Sequence, residues 1–185
     1  MSKKNMELVY YPDPRLRQVS KPIEKTEIAN LKDIVKEMFK IMYESRGIGL
    51  AGPQVGYGYR IIVANLLGKQ EGEEVFINPE IVEKIGEVRE EEGCLSLPGI
   101  VAQVLRAEQV IVDIIDLDGG RRRVEADGLY ARLFQHEIDH LDGILLIDKM
   151  TPAEKKAYSH IIFELEDDFK RGKKRKYDVK ESVGL

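Results

Sequence analysis

The sequence predicts an α+β fold in which a short antiparallel or mixed sheet packs on a central helix, with further helices near the N-terminal and C-terminal ends. Short segments rich in β-branched residues lie between segments with helical periodicity, an order typical of α+β domains. The chain has 185 residues, of which 43% are hydrophobic, and this is enough to bury one core. We therefore expect a single domain over residues 1–169 and a basic, flexible tail over residues 170–185.

The spacing of apolar residues predicts the elements in chain order. Apolar residues from Ile28 to Met42 recur at helical spacing and predict an amphipathic helix. Strands are predicted at 61–64, 75–77, 100–105 and 110–117, and Asp118-Gly119-Gly120 predicts a turn after the last of them. A C-terminal helix follows, with one apolar face from Ala157 to Phe169. His160 within it has no histidine four residues later, which favours a surface or packing role.

The central helix is predicted over 129–141, where two apolar stripes indicate packing on both sides. Asp127 is its predicted N-cap and Gly143 its predicted C-terminal stop. This helix contains His136-Glu137-Ile138-Asp139-His140. Histidines four residues apart lie on one face and can bind one metal ion, and Glu137 stands beside them to take the proton of a metal-bound water. A helix with two exposed histidines is the alternative that the pentapeptide alone leaves open.

Two histidines leave a metal ion short of a third protein ligand. A metzincin would place a histidine six residues after the second one, where this chain has Leu146, so that class is excluded. A thermolysin-like metallopeptidase would use a downstream glutamate, and Glu164 and Glu166 stand at a suitable distance. The remaining candidate is Cys94, the only cysteine of the chain, although a lone cysteine is by default a small buried hydrophobic residue.

Four segments in this order and spacing resemble the peptide deformylase family over nearly the whole chain. They are Tyr11–Arg17, the glycine-rich stretch Gly47–Gly56, the Glu92-Gly93-Cys94-Leu95-Ser96 stretch and Gln135–Leu141. Several motifs in order are far more specific than one alone. The resemblance implies removal of the N-formyl group from the initiator methionine of new polypeptides.

The resemblance also implies a role for each matching residue. Cys94, His136 and His140 would hold a divalent metal with one position left for water. Glu137 would accept the water proton and pass it to the departing amine. The Leu95 backbone N–H and the Gln54 side-chain amide would stabilise the oxyanion of the attacked formyl group.

The expected substrate contacts come from the same resemblance, which places an apolar methionine pocket beside the motif helix. The residues expected to contact substrate are Gly49, Glu92, Gly93, Leu129 and Leu133. Ordinary core packing explains the two leucines equally well. Residues after methionine are expected to pair with the strand edge over 93–97 through backbone hydrogen bonds.

Two positions depart from the family pattern. Gly52 stands where the family more often has alanine, a difference of one methyl group that is expected to matter little. Val101 stands near where some relatives carry an arginine that helps to hold the peptide, which bears on substrate affinity and not on the chemistry.

One thiolate and two imidazoles suit Fe(II), Zn, Ni or Co by ligand type. The resemblance favours Fe(II) in the cell, with oxygen sensitivity as a consequence. Zinc, nickel or cobalt would fit the same ligands in purified protein.

Composition excludes several other classes. One cysteine excludes an intrachain disulfide scaffold, and the sequence has neither an apolar leader segment nor a stretch near the ~20 apolar residues of a membrane span. We expect a cytoplasmic protein without membrane contact. The glycine-rich stretch lacks the lysine and hydroxyl pair of a phosphate-binding P-loop.

The net charge of −4 argues against general nucleic-acid binding by the domain as a whole, and no DNA partner is expected. Residues 170–176 nevertheless concentrate positive charge. A solvated tail is the default interpretation, and contact with ribosomal RNA is the alternative. A non-catalytic RNA-binding protein would depend on this cluster, but it would have no use for the metal and acid–base residues.

Overall fold

The protein has an α+β fold with antiparallel sheets, described here by a computed structural model that covers residues 6–68 and 70–173. The helices are α1 (Lys32–Glu44), α2 (Gly128–Leu141), α3 (Leu146–Lys149), α4 (Pro152–Ala157) and α5 (Ser159–Lys170). The strands are β1 (Gly49–Ala51), β2 (Ile61–Ala64), β3 (Glu74–Ile85), β4 (Val88–Gly93), β5 (Val101–Arg106), β6 (Gln109–Ile115) and β7 (Arg121–Asp127). Short 3-10 helices lie at Pro14–Arg17, Lys25–Asn30, Gly52–Val55 and Gln70–Gly72. The predicted α+β class, with antiparallel strands and several helices, is confirmed.

The strands form two separate sheets. A five-stranded antiparallel sheet has the order β1-β2-β3-β6-β7, and β4 and β5 form a two-stranded antiparallel ribbon, which we call the β4–β5 ribbon. The predicted strands correspond to β2, the start of β3, β5 and β6. Sequence reasoning missed β1, β4 and β7, because glycines or charged residues interrupt their apolar pattern.

The N-terminal helix begins later than predicted. Ile28 belongs to the 3-10 helix Lys25–Asn30, and α1 begins at Lys32. The N-terminus of this 3-10 helix is stabilised by Glu27, whose carboxylate accepts a hydrogen bond from the N–H of the N-cap residue Glu24 at 3.1 Å. The apolar spacing is continuous across this junction, so periodicity alone cannot locate it.

The C-terminal helical region is also divided. Thr151 caps α4, accepting a hydrogen bond from the Glu154 N–H at 3.2 Å, and Tyr158 separates α4 from α5. Of the predicted tail, Lys170 is the last residue of α5 and Arg171 pairs with Asp167. Residues 174–185 lie outside the described residues, and so does the start of the predicted domain at 1–5.

The motif helix α2 packs on several elements. The rings of its residues Tyr130 and Phe134 pack against the Phe76 ring of β3 at tilted angles of 54° and 57°, and Phe134 is fully buried. Asp127 is the N-cap as predicted, but its side chain makes no capping hydrogen bond within the described part of the chain. Gly143 follows the helix with φ +74°, and a Cβ there would lie 2.5 Å from the Arg17 carbonyl oxygen. The predicted glycine stop is therefore confirmed.

Within the described ranges, every helix is too short or too polar to cross a lipid bilayer.

Candidate active site

Three side chains with metal-binding atoms meet at one buried point. Cys94 directly follows the end of β4, and α2 supplies His136 and His140 from neighbouring turns of one face. The Cys94 Sγ lies 3.2 Å from the His140 Nε2. The ligand atoms of all three residues lie within 4.8 Å of one another. Among the described residues, Cys94, His136 and His140 form the group that could hold a metal ion.

The donor set fits a divalent metal. Burial lowers the pKa of His140 well below its ordinary value, which favours the neutral imidazole with an available nitrogen lone pair. Burial also acts to lower the pKa of His136, but hydrogen bonds with Cys94 and Glu92 outweigh it and raise the pKa to about 10, so a metal ion binding this ring displaces a proton. The His136 Nδ1 is hydrogen-bonded to Glu92 at 3.1 Å, which leaves the Nε2 of that ring for a metal. One thiol and two imidazoles with no carboxylate among them are ligands for zinc, iron, nickel or cobalt.

The downstream glutamates of the alternative ligand set lie elsewhere. Glu164 is exposed on α5. Glu166, also on α5, accepts a hydrogen bond from the Tyr11 hydroxyl at 3.1 Å. Neither joins the metal-binding group of the described residues.

Glu92 holds His136 in place. Its carboxylate is fully buried and receives two parallel hydrogen bonds from Arg106, at 2.8 Å and 2.9 Å. Burial raises the pKa of Glu92, but the hydrogen bonds from Arg106 and His136 outweigh it and hold the pKa far below its usual range. Glu92 was expected to contact substrate. Its carboxylate is committed to guanidinium and imidazole donors inside the protein, and a contact of Glu92 with substrate stays a prediction.

Glu137 is a buried carboxyl group beside the three ligands. Burial raises its pKa to about 7, so near neutral pH the group can both accept and release a proton. Its Oε2 has no hydrogen-bond partner among the described residues. An unpaired polar atom buried in this way is costly unless a further group completes the site.

Gly49 in β1 lies directly against the Glu137 carboxyl group. A Cβ at position 49 would lie 2.9 Å from the Glu137 Oε1 and 3.2 Å from the Leu133 side chain. Only glycine leaves room for the backbone to approach the carboxyl group this closely.

Gln54 presents an amide donor to the site. It lies in the 3-10 helix Gly52–Val55, and its Oε1 accepts a hydrogen bond from the Ala51 N–H at 2.7 Å. This bond fixes the side-chain amide so that the Nε2 faces the Cys94 Sγ at 3.9 Å. Leu95 follows Cys94 directly and is buried.

The remaining predicted substrate residues lie at different depths. Leu133 is fully buried and contacts the Gly49 backbone region, whereas Leu129, one turn earlier, is 50% exposed. Gly93 is the last residue of β4 and pairs with Val101. The expected strand edge over 93–97 is wrong beyond Gly93. Residues 94–97 form a turn, closed by the Leu97 N–H donating to the Cys94 carbonyl at 3.0 Å.

Sequence reasoning missed the polar residues that support the ligands. Arg106 occupies an inward-facing position of β5, where Ala102 and Val104 precede it in alternation. A charged residue at such a position signals a buried ion pair, and this was the available clue. Gln135, directly before His136, donates to the Ala107 carbonyl and accepts from the Ala107 N–H, both at 2.9 Å.

Comparison with known proteins finds one family. Residues 5–156 match the model of the family described as polypeptide deformylase. The chain is 46% identical over 150 residues to a protein of Chromobacterium violaceum named peptide deformylase, covering 81% of this chain and 89% of that protein. A peptide deformylase of Thermodesulfovibrio yellowstonii is 44% identical over 155 residues, covering 83% of this chain and 93% of that one.

Solved structures are similar over most of the chain. A peptide deformylase of Plasmodium falciparum has a TM-score of 0.86 and 44% identity, covering 91% of this chain and all of that one. A peptide deformylase of Legionella pneumophila has a TM-score of 0.81 and 40% identity, covering 92% of this chain and 98% of that one.

Proposed function

Because the chain belongs to the polypeptide deformylase family, we propose that it removes the N-formyl group from N-terminal formyl-methionine of newly made polypeptides and releases formate. The observation that carries this proposal is the meeting of Cys94, His136 and His140 with the carboxyl group of Glu137 and the amide of Gln54 at one buried point. The helix α2, with its histidine pair, is the centre of the proposed catalytic unit. A thermolysin-like peptidase is not favoured.

Cys94, His136 and His140 are the proposed metal ligands. A metal ion held there would supply Lewis-acid polarisation for hydrolysis near neutral pH. Glu137 is the proposed proton carrier, because its carboxyl group lies beside the ligands and has a pKa of about 7. It accepts the proton of the attacking water and delivers it to the amine of the departing peptide.

The Gln54 amide and the Leu95 backbone N–H are the proposed oxyanion donors. The Ala51 N–H holds the Gln54 Oε1, so the amide nitrogen is directed to the site before substrate arrives. A preorganised donor of this kind is worth about 3 to 4 kcal/mol of barrier. Leu95 supplies its donor from the residue next to Cys94.

Gly49 and Gly93 are the proposed substrate-binding backbone positions, since one lies against Glu137 and the other directly precedes Cys94. Leu133, packed beside Gly49, suits the inner wall of a methionine pocket, and the half-exposed Leu129 suits its mouth. Backbone recognition of this kind permits many sequences after methionine.

Fe(II) is the proposed metal in the cell, and Zn, Ni or Co are compatible with the same ligands. Formylated nascent polypeptides are the substrates, which is consistent with a cytoplasmic location. Contact with the ribosome through α5 and the basic residues after it is a further proposal, to be tested by cosedimentation with ribosomes over a range of salt concentrations.

The test of the proposed function is formate release from a formyl-methionyl peptide by anaerobically prepared, Fe(II)-loaded protein. We expect release by the wild type and a loss of roughly 100-fold to 10,000-fold in Glu137→Gln, with the same metal content. Cys94→Ser and chelator-treated wild type are expected to lose both metal and activity. Cleavage of an unformylated peptide without formate release, lost in Glu164→Gln or Glu166→Gln but not in Cys94→Ser, would overturn the proposal.

A further inference from the structure

Arg132 is a buried arginine to which the proposed mechanism gives no role. It lies on α2 one turn before His136, and its side chain is 2% exposed. Burying a guanidinium costs free energy unless acceptors surround it. All the acceptors of Arg132 belong to the β4–β5 ribbon: the carboxylates of Glu92 at 2.7 Å and Glu90 at 3.1 Å, and the carbonyl oxygens of Val104 at 3.2 Å and Val88 at 3.4 Å.

Arg132 completes the set of donors on Glu92. The Oε1 of Glu92 accepts from the Arg106 Nε at 2.8 Å and from the Arg132 Nη1 at 2.7 Å. The Oε2 accepts from the Arg106 Nη2 at 2.9 Å and is hydrogen-bonded to the His136 Nδ1 at 3.1 Å. A carboxylate has about four acceptor positions, so all of them are used. With both oxygens held, the carboxylate cannot turn away from His136.

The pair of Arg132 and Glu92 also bridges the two structural units that carry the ligands. Cys94 follows the β4–β5 ribbon two residues after Glu92, whereas His136 and His140 belong to α2. Arg106 holds Glu92 from within the ribbon and also reaches α2, where it donates to the Asp139 carboxylate at 2.5 Å beside His140. Arg132 holds Glu92 from the helix, one turn before His136. At that turn, the position of the ribbon relative to the helix therefore depends on Arg132.

We propose that Arg132 is a positioning residue of the metal centre: by fixing Glu92 from the helix side, it sets the distance of Cys94 from His136 and His140 and the orientation of the His136 ring. This inference rests on the metal ligation proposed above. Because Arg132 acts through Glu92, its loss must alter metal binding and not merely the stability of the fold.

The experiment compares Co(II) binding by metal-free wild type, Arg132→Met and Arg132→Lys. Methionine keeps an unbranched apolar stem at this buried position but has no hydrogen-bond donors. Lysine keeps the charge without the planar fork. Co(II) affinity is measured by competition with a chromophoric chelator, and coordination by the absorption bands of the Co(II) complex, including sulfur-to-cobalt charge transfer. Circular dichroism establishes that each variant is folded.

We expect the Co(II) affinity of Arg132→Met to fall roughly 10-fold to 100-fold, as is typical when a group supporting a metal ligand is lost. We expect altered Co(II) bands, and kcat lowered with KM unchanged for the saturated enzyme. Arg132→Lys should lie between Arg132→Met and the wild type. Arg123→Met is the matched control, since Arg123 pairs with Asp113 on the exposed face of β6 and β7, and it should match the wild type.

A folded Arg132→Met with wild-type affinity and spectrum overturns the inference. If Arg132→Met does not fold, Arg132→Lys decides in the same way, because wild-type affinity and spectrum in that variant contradict positioning through the fork. Failure of the proposed metal ligation, and with it of the proposed function, has a different signature: wild type itself shows no sulfur-to-cobalt band and no formate release, or Cys94→Ser keeps both. That result removes both proposals.

Discussion

Two arginine–carboxylate pairs in this protein have the same bonding pattern at very different depths. Arg106 donates from its Nε and Nη2 to the two oxygens of Glu92, and Arg123 donates from the same two nitrogens to the two oxygens of Asp113. The side chains of the first pair are 5% and 0% exposed, and those of the second are 60% and 46% exposed. Bond geometry therefore cannot explain why one pair bears on function.

The difference lies in what surrounds each carboxylate. The Asp113 side chain is about half exposed to solvent, which screens the pair and can replace the hydrogen bonds if it breaks. Glu92 has no access to water, so its protein donors must stay in place, and one of them is the His136 imidazole. Burial converts an ordinary ion pair into a fixed support for a proposed metal ligand. Four substitutions test this comparison, from the largest expected effect to the smallest.

Glu92→Ala should have the largest effect, because it leaves two buried guanidinium groups without their shared carboxylate. We expect a loss of roughly 3 to 5 kcal/mol in the free energy of unfolding, measured by urea denaturation of the metal-free protein. A loss no larger than that of Asp113→Ala would contradict the comparison.

Glu92→Gln keeps the size of the side chain but removes its charge. We expect metal affinity to fall roughly 10-fold to 100-fold, because the amide presents one acceptor oxygen where the carboxylate has two. Zinc affinity from chelator competition measures this. Asp113→Asn serves as the control. Equal zinc affinity in Glu92→Gln and Asp113→Asn would show that Glu92 does not support metal binding.

Arg106→Lys should have a smaller effect on metal affinity than Glu92→Gln. Lysine keeps a positive charge beside Glu92 but cannot make the two parallel hydrogen bonds, and Arg132 still holds the Glu92 Oε1. Zinc competition for Arg106→Lys and Arg123→Lys measures the difference. If Arg106→Lys had the zinc affinity of the wild type, a positive charge without the two parallel hydrogen bonds would be enough to hold Glu92.

Asp113→Ala should leave metal affinity, formate release and the thermal unfolding midpoint unchanged within error. Its carboxylate is exposed and joins strands that β-sheet hydrogen bonds already pair. Differential scanning calorimetry at low and high salt checks this. A clear drop in the midpoint at both salt concentrations would show that the exposed pair is more than a surface contact.

Elements with a regular apolar pattern were predicted from the sequence, whereas the strand that carries the buried Glu92 was not. Period-two and helical patterns located β5, β6 and α1, because each buries one apolar face along a regular repeat. A continuous apolar run located β2, which is buried at every position, and two apolar stripes located α2. The strand β4 reads Val-Arg-Glu-Glu-Glu-Gly and was not predicted. Its inward-facing Glu92 is stabilised by arginines from β5 and α2, and a local pattern contains no sign of partners so distant in the chain.

The sequence predicted part of the candidate site as well. The residue types and the spacing of His136, Glu137 and His140 identified a metal-binding helix, since positions four apart share a helix face whatever surrounds it. The residues alone left Cys94, Glu164 and Glu166 as alternatives for the third ligand.

What the sequence by itself determined is therefore local: which residues can bind metal and move a proton, and that a helix presents two of them together. The tertiary structure decided which distant side chain joins them, bringing Cys94 within 3.2 Å of His140 across 46 positions of the chain. It also decided that Glu92 holds His136. Helix geometry is set by neighbouring residues, whereas these distances depend on how the β4–β5 ribbon packs on α2, which long-range burial and ion pairing determine.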